Sequence, residues 1–386
     1  MKISIPHRFY SLDLIRGLAA LSVVFWHWQH FFYDGVTAGV YNVQNQPFYA
    51  LFFVLYQRGW LAVDFFFSLS GFIFFWLYVG AIAERRVGAW HFFILRFSRL
   101  YPLHIATFVF VLIAQHWTFE RTGNYFVYPY NDLYHAFLNI FMASNWGLEK
   151  GWAFNAPIWS VSVEILLYAI FFMACLLCRM RLPAVLALIT VGLFMLEIQP
   201  TLGRGLFSFF VGGLTFIIYR HVCSGNALPK TFIGVASMTA LLWLAAILEI
   251  RFEWFYPRLE DALRSLLVSD WYPYVPEIMR RATPLILTGL LFPLTILSLA
   301  LAETLRGHLG RRLAPIGNIS YSSYLLHFPL QLMLFILVGL TGKGNTFFYS
   351  EASMLAFFGM LIPICLVSYY YFEYPAQRSI RTFLLP

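Results

Sequence analysis

Charge is what this chain has little of. Only 11% of its 386 residues are Asp, Glu, Lys or Arg, against 60% hydrophobic and 20% aromatic. A soluble globule of this length needs far more polar surface. The solvent for most of the chain is therefore lipid, and no polar stretch is long enough for an independent soluble domain. A single membrane domain over 1–386 is expected. Cysteine is equally sparse: Cys175, Cys178, Cys223 and Cys365 all fall in or beside apolar segments, where thiols act as small hydrophobes, so no disulfide framework is implied. The one C-x-x-C, Cys175 and Cys178, has no second ligand pair, and no metal site is expected. A small-residue cleavage site is missing after the first apolar run, which continues through Trp26, Trp28, Phe31 and Phe32. That run is a retained span rather than a removed signal. No motif repeats between the halves, which weighs against transporter folds built from repeats.

What the chain does have is apolar runs of the roughly 20 residues that a helix needs to cross a bilayer. An all-α polytopic membrane protein of about ten transmembrane helices is expected. The spans fall near 12–33, 59–80, 99–116, 157–178, 182–200, 203–220, 231–249, 283–302, 314–340 and 352–372. The net charge of +8 sits in short clusters between spans, which suits anionic lipid head groups and orientation rather than nucleic acid. If ten spans alternate, Lys2, Arg8, Arg85, Arg86, Arg96, Arg99, Arg179, Arg181, Arg220, Lys230, Arg306, Arg311, Arg312, Arg378 and Arg381 fall on one side, while Arg251, Arg258, Arg264, Arg280 and Arg281 go against the rule in a long loop, which translocates largely regardless of charge. Both termini are then cytoplasmic. The opposite side holds two longer connections, near 117–156 and 250–282, rich in Tyr, Trp and Pro. Such loops suit carbohydrate or head-group contact, and interfacial anchoring by aromatics explains them as well.

Ionisable side chains within spans are costly and mark function by default. LDLIRGLAALSVVFWHW places Asp13, Arg16 and His27 on the first span. Eleven residues return Arg16 and His27 to nearly one face, roughly 16 Å apart along the axis. Gly17 and Ala20 between them admit a close neighbour. In APIWSVSVEILLY, Glu164 comes to about the same depth as His27, so a carboxylate can orient an imidazole as a general base. A structural ion pair between the two helices fits those positions equally. Asp64, Ser68, Ser70 and Gly71 on the second span, and Asn318, Ser320, Tyr321 and His327 on the ninth, join the set. Most of these are expected to bond neighbouring helices. Arg96 and Arg99, in the loop ERRVGAWHFFILRFSRLYP, share a helix face and offer two guanidinium forks to phosphates. They also fit an ordinary positive-inside signal.

These segments, with FFFSLSGFIFFW, RFSRLYPLH, ISYSSYLLHFPL and the closing YYYFEYPAQRSIR, resemble the membrane acyltransferase-3 family of O-acyltransferases, in order over nearly the whole chain. The resemblance implies a ten-helix fold in the bacterial inner membrane, acetyl-CoA or another acyl-CoA as donor, and a surface or lipid-linked glycan as acceptor. It assigns Arg16 and His27 to the essential first-span motif, Arg96 and Arg99 to donor binding, and Glu164 to the site. Some members carry a hydrolase-like SGNH domain after the membrane part, and none follows here before Pro386. The expected chemistry is thus O-acyl transfer. Arg96 and Arg99 hold CoA phosphates, Arg16 steadies the donor arm or thioester oxygen, and His27, oriented by Glu164, takes the acceptor proton. Direct transfer and a covalent acyl-enzyme both remain open. A proton-coupled transporter or exporter of lipid-linked sugars uses similar intramembrane residues and is the rival reading.

Overall fold

A computed structural model describes residues 6–178, 180–267, 269–342 and 344–385. Lys2 and Arg179, both counted in the orientation argument, lie outside the described residues. The architecture is a helical bundle. Helix α1, Tyr10–Trp26, continues as a 3-10 stretch, His27–Phe32. A two-residue hairpin follows, Tyr33–Asp34 against Thr37–Ala38. Then come α2, Tyr49–Ala83, and α3, Ala89–Thr122. After the short α4, Leu133–Ile140, come α5, Trp159–Cys178, α6, Leu182–Ile198, α7, Pro200–Ser224, and α8, Leu228–Phe252. Helix α9, Phe255–Leu266, is amphipathic. The chain closes with α10, Trp271–Arg306, α11, Ser320–Leu340, and α12, Glu351–Leu384.

Eight of these, α2, α3, α5, α7, α8, α10, α11 and α12, are long and apolar enough to cross a membrane, and α6 is a shorter apolar helix. The chain is an all-α, multi-pass membrane protein. Several boundaries differ from those read in the sequence, and the first expected span, 12–33, is α-helical only to Trp26 and is not among these eight. Helix α2 begins at Tyr49, because Gln57, Arg58 and Gly59 interrupt the apolar run at a 3-10 stretch, Gly59–Leu61, that joins Tyr49–Arg58 to Ala62–Ala83. Helix α3 begins at Ala89, so Arg96 and Arg99 stand on a helix and the connection from α2 shrinks to 84–88. The two longer connections likewise change, since α3 runs to Thr122 and α10 starts at Trp271.

Close approach between α2 and α7 rests on two glycines. A Cβ at Gly71 would collide with the Phe209 carbonyl, and one at Gly212 with the Ser68 carbonyl. Small residues at a helix crossing let dispersion contacts act where lipid offers no hydrophobic drive. On the loop after α3, Asp132 caps α4. The backbone N–H of His135 donates to its carboxylate at 2.8 Å, and this bond holds the Asp132 carboxyl below its ordinary value.

Candidate active site

Helix α1 carries the two residues singled out first, and its start is fixed from outside. No side chain of its own caps the helix. Instead the buried Glu303 of α10 accepts from Tyr10 N at 2.8 Å, Ser11 N at 2.9 Å and Ser11 Oγ at 2.7 Å. A carboxylate there satisfies donors that the first turn leaves unpaired and sits favourably at the positive end of the helix dipole. One turn on, Gly17 lies against Ile316 and Gly317 against the Asp13 carbonyl, leaving no room for a Cβ at either. The close approach that Gly17 offered is thus taken by the turn leading into α11.

At this end of α1 the Arg16 guanidinium is held from three directions. Nε donates to Ser320 Oγ at 3.1 Å, and Nη2 donates to the Gly317 carbonyl at 3.0 Å and faces Asp13 Oδ1 at 3.1 Å. Nη1 is the donor not engaged in these bonds. Arg16 borders a cavity of about 110 Å³ shared with Arg96, Arg99, Glu164, Ser70 and Tyr324. Glu164 accepts from Ser70 Oγ at 2.6 Å. Arg96 donates to the Tyr78 hydroxyl and lies over the rings of Phe74 and Tyr78 at 4.8 and 4.9 Å, while its Nε is buried without a hydrogen-bond partner among the described residues. Arg99, one turn along, is exposed and makes no hydrogen bond or ion pair among the described residues. From α12, Arg381 adds a third guanidinium beside α3, donating to Ser98 Oγ at 3.0 Å and the Leu95 carbonyl at 3.1 Å. The result is a cluster of cations around a small cavity, which suits phosphates.

The far end of α1 holds a second cluster. His27 Nδ1 lies 2.8 Å from His327 Nε2 on α11, with the rings stacked at 5.0 Å. His327 Nδ1 lies 3.2 Å from the Ser323 carbonyl. A carbonyl only accepts, so a neutral His327 carries its proton on Nδ1 and presents a lone pair at Nε2. His27 then donates through Nδ1, and its own Nε2 is left as the basic nitrogen. This proton placement follows from the hydrogen-bond network. His30 stacks on His27 at 4.6 Å and faces Gln331 Oε1 at 3.3 Å. Gln331 Nε2 returns to the His27 carbonyl at 2.9 Å, and Tyr128 from the loop after α3 reaches His30 Nε2 at 3.4 Å.

Arg16 and His27 do share a face, since both bond α11. The expected contact between His27 and Glu164 does not form among the described residues: Glu164 belongs to the cavity with Ser70, and His327 takes the place beside the His27 ring. Matched depth on two helices says nothing about azimuth, and α11 packs directly on α1 where α5 was expected to stand. His327 is visible in ISYSSYLLHFPL, but only as one of several polar residues expected to be structural. Tyr324 stands between the two clusters: it borders the cavity, bonds Ser160 Oγ at 2.8 Å and lies 6.1 Å from the His327 ring. Asp64 is otherwise committed, paired at 2.7 Å with Arg204.

The signature of the acyltransferase-3 family, an acyltransferase domain, matches residues 9–373. The chain belongs to that family, and it is an acyltransferase built on a multi-pass membrane fold. It is 36% identical over 105 residues to "Protein 2 in picA locus" of Rhizobium radiobacter. That match covers 27% of this chain and 44% of the relative, so it spans less than half of the relative's length. No solved structure matches the chain.

Proposed function

We propose that the chain is an O-acetyltransferase of the bacterial inner membrane that moves an acyl group from cytoplasmic acyl-CoA, acetyl-CoA first among them, to a hydroxyl of a surface or lipid-linked glycan. Both termini face the cytoplasm in this reading. The observation that carries it is the chain of bonds from the Ser323 carbonyl through His327 to His27, which leaves His27 Nε2 with a free lone pair. Phosphates of the donor bind at Arg96 and Arg99, and the pantetheine arm enters the cavity past Arg16. The acceptor hydroxyl gives its proton to His27 Nε2 while its oxygen attacks the thioester carbon. The tetrahedral intermediate then collapses, the carbon–sulfur bond breaks, and the protonated His27 returns the proton to the departing CoA thiolate. His27 acts on the reacting atoms, whereas His327 is a positioning residue. Glu164, bonded to Ser70 beside three arginines, balances charge in the donor cavity in place of the orienting role first expected of it.

The test is acetyl-CoA supplied to the purified protein, with free CoA thiol and acylated acceptor measured together. Acceptor-dependent CoA release is the expected result. No release above the buffer rate would favour the rival transporter of lipid-linked sugars, which has no use for a thioester.

A further inference from the structure

On the side of α1 away from the arginine cavity, a groove of about 160 Å³ runs between α1, α2, α8 and α10. Leu18, Ala19, Phe65, Trp243, Ala246 and Leu291 give it an almost wholly apolar lining. It continues past Ala246, Leu287 and Leu291 into a second apolar space of about 290 Å³ beneath the amphipathic α9. Space of this kind, open to the hydrocarbon, fits a long flexible chain. Two further observations say which chain.

The first is charge. Arg58 borders the groove, is exposed, and makes no hydrogen bond or ion pair among the described residues. A lone guanidinium at the end of an apolar groove complements a phosphate joined to an apolar chain. The second is position. Gly59, the next residue, packs so tightly on α1 that a Cβ there would meet the Ser22 carbonyl and Trp26 Cβ. Trp26 precedes His27, so Arg58 stands at the level of the histidine cluster and not at that of Arg16. In addition, α10 lines the groove with a π-helical turn, Leu287–Leu291, a local widening frequent at functional sites.

We infer that this groove binds the isoprenoid chain of a polyprenyl-phosphate-linked acceptor, with Arg58 on the phosphate, at the depth of His27 but on a side of α1 that the histidine pair does not face. This deepens the proposed function and rests on it for the identity of the acceptor, but the binding itself is measurable alone. Holding the acceptor by its lipid would supply orientation without any contact to the reacting sugar.

The experiment places a benzophenone photo-crosslinker at Leu18, which is 45% exposed and borders the groove, in the full chain purified in detergent. The probe is a radiolabelled long-chain polyprenyl phosphate, with phosphatidylglycerol as competitor. Labelling should persist in excess phosphatidylglycerol. It should fall about tenfold in Arg58→Ala, the loss of one charge-assisted phosphate contact, and largely return in Arg58→Lys. No labelling, equal displacement by phosphatidylglycerol, or labelling indifferent to Arg58→Ala would overturn the assignment. The two readings fail separately. Absent CoA release with intact labelling removes the transferase chemistry, and absent labelling with intact release removes the groove.

Discussion

Arg96 and Arg99 stand one helical turn apart on α3, and their surroundings differ. Arg96 is locked by the Tyr78 hydroxyl and stacked against aromatic rings, whereas Arg99 is exposed and unengaged among the described residues. A planar guanidinium stacks and forks where an ammonium does neither. Substitution by lysine should therefore separate the two. Arg99→Lys should keep most donor affinity through charge alone, while Arg96→Lys should raise the KM for acyl-CoA nearly as far as Arg96→Ala. In both cases kcat should move less than KM, since phosphate contacts persist unchanged from ground state to transition state. Steady-state kinetics on the three single variants checks this. Equal behaviour of the two lysine variants would mean that the stack around Arg96 has no part in donor binding.

Helices, by contrast, are mostly legible in the sequence, because lipid imposes about 20 apolar residues on each and the chain obeys. Where the sequence boundaries and the helices part, polar residues sit inside a helix. His91, Arg96 and Arg99 dilute the start of α3, which needs no apolar residues to keep its backbone bonds, and Gln57 to Gly59 mark the point where α2 passes through a 3-10 stretch. The start of α1 is illegible for a different reason. Its capping carboxylate, Glu303, comes from almost 300 residues away, 292 from Ser11. Glu303→Ala should remove the acceptor of the buried Ser11 N–H and the half-buried Tyr10 N–H and leave Ser11 Oγ only the Leu299 carbonyl at 3.5 Å, at about 1–3 kcal/mol for an unsatisfied group. Glu303→Gln keeps one acceptor oxygen and should lose less. Thermal unfolding in detergent should rank wild type above Glu303→Gln above Glu303→Ala. No change in either variant would show that α1 is held by packing alone.

At the scale of the whole molecule, the two clusters lie at different depths, with the arginines at one end of α1 and the histidine pair about 16 Å away along its axis. Their separation is the feature a transferase working across a bilayer requires, and it makes orientation a direct issue. Leu133, 90% exposed at the start of α4, should accept a membrane-impermeant thiol probe from outside intact cells when replaced by Cys in a Cys-free background. Labelling only after permeabilisation would invert the topology and put the histidines on the donor's side. Separate spans do not encode which helix faces which. The segment ISYSSYLLHFPL contains His327, but only packing turns it toward His27, just as packing gives Glu164 to Ser70. The proposed transfer chemistry rests on that histidine pair, and a double-mutant cycle on kcat measures it most directly. His27→Ala should lower kcat by on the order of 10²–10⁴, the contribution of a general base. His327→Ala should lower kcat by a smaller factor at unchanged KM for acyl-CoA, and the double variant should be scarcely slower than His27→Ala alone. A folded, inserted His27→Ala protein with near-normal kcat, or losses that multiply in the double variant, would contradict the account.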